Sequence, residues 1–406
     1  MSTQRLRIGM VGHAFMGAVH SQAWRTLNHV FDLPLRVEQT ALCGLHPDQA
    51  EAAAHRLGWA GHLTDWRELV ARDDIDVIDI CTPSDSHAEI AVAALAAGKH
   101  VLCEKPLANT VDEARTMTAA AERAAARGIR SMCGFTYRRV PALSLLRNLI
   151  ADGRLGEIRH VRATYLQDWI TDPEFPLVWR LRRERAGSGA LGDVGAHIVD
   201  LAHYLTGSRL TGVTGVTETF VHLRPLPADR DGGSGGLTAE AAATPELGRV
   251  TVDDAAVFIG RLESGALATF EATRFATGRK NALRIEVNGS LGSAAFDFER
   301  LNELEFLDTA QPAAEQGFRR ILVTEPDHPY LAAWWPPGHG LGYEHSFTHQ
   351  ARDLVAAIAE GHDPRPSFAE ALQVQLVIDA VERSATNSSS WTAVPEATTE
   401  TEAEAA

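Results

Sequence analysis

The first 135 residues alternate short aliphatic runs with longer helical stretches, and this alternation leaves few folds open to the chain. The aliphatic runs occupy residues 5–11, 36–43, 76–81, 99–103 and 129–135. Helical patterns fill residues 47–57, 87–97 and 111–127 between them. Strands separated by helices in this order form a doubly wound parallel sheet. We therefore expect an α/β domain over residues 1–135.

The pattern changes after about residue 155, where most strand-like runs follow one another without intervening helices. These runs are 158–167, 213–223, 251–262, 266–275, 282–288 and 293–298. Ser264-Gly265 and Asn288-Gly289 have the composition of hairpin turns between neighbouring strands. Residues 136–393 are therefore predicted to form an α+β domain on a largely antiparallel sheet. Its helices are expected near 189–205, 343–360 and 368–385, and the last two close the domain.

Two segments have the pattern of neither a strand nor a helix. Residues 225–248 are rich in Gly, Pro and Ala, which predicts a mobile loop. Residues 394–406 form an acidic tail of Thr, Glu and Ala that has little apolar surface to bury, so we expect it to be disordered.

The charge of the chain argues against a nucleic-acid partner. Asp and Glu number 53 against 38 Lys and Arg, a formal net charge of −15. No uncharged apolar run approaches the roughly 18 residues that a membrane span requires. The cysteines lie in or at the end of strand-like runs, without metal-ligand spacing, at Cys43, Cys81, Cys103 and Cys133. Buried thiols of this kind suit a reducing compartment, so we expect a cytoplasmic protein.

A glycine-containing turn follows the first strand and opens the first helical stretch. It runs Gly12-His13-Ala14-Phe15-Met16-Gly17. Gly12 permits a tight turn, Gly17 allows close helix–strand packing, and a helix N-terminus attracts a pyrophosphate. Ala14 stands where the dinucleotide fingerprint has its second glycine. The turn predicts dinucleotide binding, and the alternative is a purely structural glycine turn.

The end of the second strand gives no sign of which nicotinamide dinucleotide is bound. At this place an acid reads a ribose 2′-hydroxyl, whereas an arginine accommodates a 2′-phosphate. The chain has Gly44, Leu45 and His46 there, which include neither residue type. We expect NAD, because no cation is offered to a 2′-phosphate. NADP remains an alternative cofactor, since the imidazole of His46 is able to bind a 2′-phosphate in part.

A helical stretch near residue 195 carries an acid and an imidazole that suit proton transfer. Asp193 and His197 are four residues apart, on a face away from the apolar side of the helix. An imidazole titrates in the range needed to take a hydroxyl proton while the hydride leaves for a nicotinamide, and Asp193 is placed either to orient it or to join the proton relay. Lys105 follows the end of a strand, where open α/β sheets bind ligands, and its ammonium suits a substrate oxygen. The alternative is a capped helix with a surface Asp–His pair and a solvated lysine.

We expect no metal site on this helix. His197 and His203 are six residues apart and face different directions, so that together with Asp200 they do not converge on one ion.

Two segments resemble the Gfo/Idh/MocA oxidoreductases: residues 80–87 (ICTPSDSH) and 98–107 (GKHVLCEKPL). The resemblance extends over nearly the whole ordered chain. It implies an N-terminal Rossmann domain, a C-terminal domain on an open, mostly antiparallel sheet, and a homodimer or homotetramer. It also implies that Lys105, Asp193 and His197 are the catalytic group.

Within that family, four further segments are similar to the levoglucosan and related glycoside 3-dehydrogenases. They are residues 164–169 (TYLQDW), 186–193 (AGSGALGD), 252–254 (VDD) and 271–274 (EATR). The similarity implies NAD-dependent oxidation of a secondary hydroxyl at carbon 3 of a pyranoside or of an anhydrosugar such as levoglucosan. These dehydrogenases keep an acid where this chain has Gly44.

The binding residues follow from the motifs and the resemblance together. The expected cofactor contacts are Gly12, Ala14, Phe15, Met16, Gly44, Leu45, His46, Thr82, Pro83, Ser84, His87, Glu104 and Lys105. The expected sugar contacts are Tyr137, Gln167, Trp169, Arg180, Asp193 and His197, with Trp179 a further candidate. We expect His345 to approach the site from the last helical segment. Arg138 suits either the site or a structural ion pair.

Three other functions are compatible with the same residues. An inositol or aldose dehydrogenase would use the same chemistry on another polyol. An NAD-dependent glycosidase would oxidise its substrate transiently and release no NADH. A sugar- and NAD-binding regulator would bind both ligands without turnover.

Overall fold

The computed structural model describes residues 4–228 and 243–397. The strands are β1 (Gln4–Val11), β2 (Leu35–Cys43), β3 (Gly61–Leu63), β4 (Val77–Ile80), β5 (His100–Cys103), β6 (Ser131–Cys133), β7 (Ile158–Leu166), β8 (Leu210–Glu218), β9 (Leu223–Pro227), β10 (Ala243–Arg249), β11 (Ala255–Leu262), β12 (Leu267–Thr273), β13 (Ala282–Gly289), β14 (Gly292–Asp297), β15 (Glu303–Asp308), β16 (Arg319–Leu322) and β17 (Thr392–Ala393). The helices are α1 (Phe15–Val30), α2 (Pro47–Leu57), α3 (Trp66–Ala71), α4 (His87–Ala96), α5 (Val111–Ala125), α6 (Pro141–Ala151), α7 (Arg183–Ala186), α8 (Ala196–Thr206), α9 (His345–Glu360) and α10 (Phe368–Thr386).

The first six strands form the parallel, doubly wound sheet that the alternating pattern predicts. Their order is β3-β2-β1-β4-β5-β6, and β1 pairs in parallel with both β2 and β4. The order reverses between β1 and β4, so the carboxyl ends of these strands flank the crevice where such sheets bind ligands. The sequence pattern missed β3 and α3. They are short elements at the edge of the sheet, and three residues are too few to show an alternation.

The second sheet has nine strands in the order β16-β15-β14-β13-β7-β12-β11-β8-β17. Its pairings are antiparallel except that β7 and β12 run in parallel, which confirms a mostly antiparallel sheet. The predicted hairpins β11–β12 and β13–β14 are both present.

The predicted strand 213–223 is wrong in one respect, because β8 ends at Glu218. The carboxylate of Asp254 accepts hydrogen bonds from the backbone N–H groups of Phe220 and Val221, at 2.8 and 3.2 Å, and so holds the chain away from the sheet. The chain then forms β9, which pairs with β10 in a separate two-stranded ribbon. These two strands occupy both ends of the predicted mobile loop, and the centre of that loop lies outside the described residues.

The two closing helices pack on the first domain as well as on the second. Ala351, Leu354 and Val355 of α9 share an apolar cluster with Trp24 and Leu27 of α1. Helix α10 packs against α5 and against β8. Helices that sequence patterning assigns to the second domain therefore fix the two domains to each other.

The start of the predicted disordered tail is wrong. Val394 is buried and donates its backbone N–H to the carbonyl of Thr211 at 3.0 Å, and Ala397 donates to the side chain of Gln373 at 2.9 Å. Residues 394–397 thus extend the β17 edge of the second sheet, because Val394 finds an apolar site there. The remainder of the predicted tail, 398–406, lies outside the described residues.

Arg138 forms a structural ion pair and takes no part in the cleft. Its guanidinium donates to both carboxylate oxygens of Asp200, at 2.6 and 2.9 Å, and to Glu370 at 2.8 Å. The pair is buried and ties the segment after β6 to α8 and α10.

Among the described residues, no helix combines the length and apolar composition needed to cross a lipid bilayer.

Candidate active site

A cleft of about 770 Å³ lies at the carboxyl ends of the first sheet and faces the second domain. All the predicted cofactor and sugar contacts line it, as do the three predicted catalytic residues and Trp179. His345 does not line it. The Nδ1 of His345 accepts the backbone N–H of Gly342 at 3.0 Å, and its ring packs against Trp334. Tyr343 and Phe347 of the same segment reach the cleft instead, and the sequence analysis did not select them.

The glycine turn leaves no room for side chains where a dinucleotide approaches. Gly12 has φ +98°, and a Cβ there would lie 2.7 Å from the carbonyl oxygen of Cys81. A Cβ at Gly17 would overlap the carbonyl oxygen of Gly12, so α1 packs directly against the turn. Helix α1 starts after Ala14 with no side-chain cap and no acid in its first turn. Its positive N-terminal end therefore suits a pyrophosphate, and these residues fit a dinucleotide.

Lys105 and Asp193 meet across the two domains. The ammonium of Lys105 donates to the backbone carbonyl of Asp193 at 2.8 Å and to its Oδ1 at 3.2 Å. Asp193 lies in a wide, π-type helical turn, Leu191–Gly195, that leads into α8. The carboxylate of Asp253 anchors the start of this turn by accepting the backbone N–H groups of Gly189 and Leu191, at 2.7 and 2.8 Å.

The second partner of Asp193 is Arg274, which follows β12 and which sequence reasoning missed. Arg274 is completely buried, and its Nη1 lies 3.5 Å from Oδ2 of Asp193. Burial opposes ionisation of Asp193, but the charges of Lys105, Arg274 and Arg180 hold its pKa well below the ordinary value. Asp193 is therefore a carboxylate between cations, with no hydrogen bond to His197. The expectation that Asp193 orients His197 is not met by this geometry.

His197 lies in an aromatic setting at the wall of the cleft. Its ring packs on Tyr137 with centroids 4.4 Å apart, and Tyr165 and Phe135 flank it at 5.8 and 6.0 Å. Burial and the nearby charge of Lys105 lower the pKa of His197 well below its ordinary value, although Asp193 opposes this effect. The imidazole is thus neutral at pH 7 and ready to accept a proton.

A hydrogen-bonded wall of amide and aromatic groups faces this group. The amide oxygen of Asn281 accepts from Tyr165 at 2.7 Å and from Gln167 at 2.8 Å. Trp169 donates to Gln167 at 3.1 Å, and the hydroxyls of Tyr137 and Tyr165 are 2.8 Å apart. Planar amides and aromatic rings suit the hydroxyl rim and apolar face of a sugar. Tyr165 lies in residues 164–169, which resemble the glycoside 3-dehydrogenases, whereas no sequence pattern indicated Asn281.

A buried charge network supports the strand end that carries Lys105. The two nitrogens of His20 lie 2.9 Å from Oδ2 of Asp79 and 3.1 Å from Oε1 of Glu104. Trp24 donates to Asp79 at 2.7 Å, and the other oxygen of Glu104 accepts the backbone N–H of Lys105 at 3.2 Å. Burial opposes protonation of His20, but Asp79 raises its pKa well above the ordinary value. The network therefore joins α1, β4 and β5 beneath the cleft.

The histidines outside the proposed catalytic group do not indicate a metal site. Within the described residues, His20, Asp79 and Cys81 form the one set of ligand atoms close enough for an ion, and these atoms already bond to one another. His203 accepts the backbone N–H of Leu210 at 3.0 Å and so points away from His197. His87, predicted to border the cofactor cleft, contacts the carbonyl oxygens of Thr82 and Pro106 at 3.0 and 2.9 Å.

Comparison with known proteins places this geometry among dehydrogenases. Residues 6–129 match the oxidoreductase family with an NAD-binding Rossmann fold, and residues 143–295 match the GFO/IDH/MocA C-terminal domain. Levoglucosan dehydrogenase of Pseudarthrobacter phenanthrenivorans is 40% identical over 395 residues, which are 97% of this chain and 99% of that protein.

Two solved structures have the same fold over nearly their whole length. An oxidoreductase domain protein from Kribbella flavida is 61% identical with a TM-score of 0.91, covering 97% of this chain and 100% of the other. A levoglucosan dehydrogenase in complex with NADH and levoglucosan is 40% identical with a TM-score of 0.89, at the same coverage.

The network beneath Lys105 predicts a pH-dependent loss of stability in His20→Gln. The substitution leaves two buried carboxylates without a cation, so the free energy of unfolding should fall by about 3 kcal/mol near pH 6. Because the folded pKa of His20 is raised, its ionic contribution is complete below the unfolded pKa and disappears as pH rises through the folded value. Urea denaturation across this range measures the deficit, with His62→Gln, an exposed histidine of β3, as control. A deficit that is the same at every pH would contradict the ionic role.

Proposed function

The chain belongs to the Gfo/Idh/MocA family of NAD-dependent oxidoreductases, and we propose that it oxidises a secondary hydroxyl of a pyranoside or of an anhydrosugar such as levoglucosan. The observation that carries this proposal is the position of Lys105, Asp193 and His197 between the glycine turn and the wall of amides and aromatic rings. Carbon 3 is our choice of oxidised position because residues 164–169 and 186–193 resemble the glycoside 3-dehydrogenases.

The glycine turn and the first turn of α1 would hold the pyrophosphate of NAD, and Thr82, Pro83 and Ser84 would line its nicotinamide half. Bound NAD supplies the hydride acceptor. Glu104 and His87 keep the strand ends beside it in place through the contacts described above.

His197 is the proposed general base. Its imidazole is neutral at pH 7 and accepts the proton of the substrate hydroxyl, while the hydride leaves the same carbon and a carbonyl forms. Lys105 is the proposed electrostatic partner, because its ammonium stabilises the negative charge that develops on that oxygen. Asp193 positions the ammonium of Lys105 by forming an ion pair with it, and the charge of Arg274 helps to keep the carboxylate of Asp193 ionised.

The wall of amides and aromatic rings beside His197 is proposed to orient the sugar. Tyr137, Gln167, Trp169 and Arg180 present an aromatic hydroxyl, an amide, an indole and a guanidinium to one space. Asn281 fixes the amide of Gln167, so the wall is rigid before substrate arrives. A rigid polar wall favours a substrate with several hydroxyl groups at fixed angles.

The proposal predicts that NAD is reduced when levoglucosan or a glucoside is added to the purified protein. Absorbance at 340 nm is followed with levoglucosan, glucose, methyl and aryl glucosides and myo-inositol. Reduction with myo-inositol alone would favour the inositol dehydrogenase. Glycoside cleavage without NADH release would favour the glycosidase, and binding without any turnover would favour the regulator. Any of these three results would contradict the proposal.

If His197 is the base, removing the charge of Lys105 and removing the charge of Asp193 should shift the pH profile of kcat/KM in opposite directions. In the wild type the acid limb should lie below the ordinary imidazole pKa of about 6.5. Lys105→Met should lower turnover by about 10²–10⁴ and move the remaining acid limb to higher pH, because a positive charge near His197 is lost. Asp193→Asn should move the limb to lower pH, because a negative charge is lost.

Nucleotide titration is the control for these variants. NADH binding should stay near that of the wild type in His197→Ala, since His197 is not among the expected cofactor contacts. Loss of NADH binding would show that His197 is assigned to the wrong site. An acid limb that none of the substitutions moves would show that another group titrates.

We further propose that the chain forms a homodimer or homotetramer through the outer face of its second sheet. Val216, Val257, Ile259 and Leu267 lie on that face with 48–54% of their surface exposed. An apolar patch on three neighbouring strands suits an interface. Sedimentation equilibrium should give a dimer or tetramer, and Ile259→Lys should reduce the assembly. A wild-type monomer at micromolar concentration would contradict this.

A further inference from the structure

The end of β2 is the place where a doubly wound sheet distinguishes the two nicotinamide dinucleotides. In this chain the end of β2 is tied to the glycine turn, because the backbone N–H of Gly12 donates to the carbonyl of Cys43 at 2.9 Å. Gly44 follows and donates to the carbonyl of Leu63 at 3.1 Å. These bonds place residue 44 beside the turn that faces the dinucleotide.

The space that a side chain of residue 44 would occupy is filled by His13. A Cβ built on Gly44 would lie 2.5 Å from Nε2 of His13, closer than real Cβ atoms approach a neighbour. An aspartate or glutamate at position 44 would therefore have to displace the imidazole. His13 comes from the glycine turn itself, lines the cleft and is half-buried. The edge of the His13 imidazole thus occupies the Cβ position of residue 44, the residue that in other sites carries the carboxylate for a ribose 2′-hydroxyl.

The side chains that act electrostatically on His13 are those of Arg56 and His46. Burial lowers the pKa of His13, and Arg56 and His46 lower it further. His46 also lines the cleft, at the residue that precedes α2. The sequence alone offered His46 here, and the structure adds His13 beside it.

No carboxylate lines this end of the cleft among the described residues. The lining residues at and after the ends of β2 and β3 include Gly44, Leu45, His46, Gln49, Thr64 and Trp66, and His13 lines the cleft from the glycine turn. Asp48, in the first turn of α2, is exposed and does not line the cleft. Asp65 caps α3 by accepting the backbone N–H of Arg67 at 2.9 Å. A 2′-phosphate would therefore meet imidazole N–H donors and no carboxylate among these lining residues.

We propose that this chain binds NADPH as well as NADH, and that His13, with His46, receives the 2′-phosphate. The same imidazole accepts or donates a hydrogen bond with a 2′-hydroxyl, so NADH binding is retained. The inference rests on the cofactor half of the proposed function and not on its sugar substrate.

The test is a direct titration of the protein with NADH and with NADPH in the absence of sugar. Energy transfer from tryptophan to the reduced nicotinamide reports binding without any turnover. In the wild type the two dissociation constants should agree within roughly tenfold. A dissociation constant for NADPH more than about 100-fold above that for NADH would overturn the proposal.

His13→Ala assigns the effect to the imidazole. NADPH should bind at least about tenfold more weakly while NADH changes by less than about threefold, so retained NADH binding also shows that the variant is folded. His62→Ala, which removes an exposed histidine of the neighbouring strand, should change neither constant. Equal weakening of both nucleotides in His13→Ala would overturn the role given to His13.

The double variant His13→Ala/Gly44→Asp tests the same site in the opposite direction. The carboxylate then occupies the volume that the imidazole leaves, so NADPH should be rejected by about 100-fold while NADH is kept. NADPH binding that survives this change would contradict the proposal. Sugar oxidation does not enter these titrations, whereas failure of both nucleotides to bind the wild type would overturn the cofactor site and the proposed function with it.

Discussion

The half-buried carboxylate of Asp193 holds a cation from each domain, and the geometry of the cleft depends on this contact. Lys105 reaches it from the end of β5 and Arg274 from the end of β12. Burying a carboxylate is costly unless cations and hydrogen bonds compensate it, so the three groups fix one another. The same charges act on His197, whose imidazole is kept neutral by burial and by Lys105. The ion pair thus fixes the position of the ammonium, and the ammonium adds to the effect of burial on the pKa of the proposed base.

Two further sets of hydrogen bonds hold Lys105 and Asp193 in position. Below Lys105, His20 binds Asp79 and Glu104 and so joins α1 to the strand ends that carry the cofactor residues. Around Asp193, the carboxylate of Asp253 anchors the wide helical turn. The closing helix α9 adds an apolar face to α1, so the helix that presents the glycine turn is packed on both sides. The cofactor half and the sugar half of the cleft are therefore parts of one rigid arrangement.

Local pattern was sufficient for most of the fold, whereas the list of expected cofactor and sugar contacts also needed the family resemblance. Buried parallel strands have the pattern of aliphatic runs, and in the structure a capping box of Thr110 and Glu113 starts α5. The roles of individual residues within the site were harder to predict from the sequence, because they depend on pairings between distant segments. Asp193 was expected to serve His197, its neighbour along the helix, but it pairs with Lys105 and Arg274. Arg274 and His13 had no marked spacing, and each acquires its role only when β12 or β2 is placed beside it.

The most direct test of the account is the fate of the hydrogen on carbon 3. Levoglucosan that carries deuterium at carbon 3 is incubated with NAD and the protein, and the NADH formed is examined by proton NMR. The account predicts that the deuterium appears on the reduced nicotinamide ring, with a ketone at carbon 3 of the sugar. NADH without deuterium, while the label stays in the sugar, would contradict oxidation at that carbon.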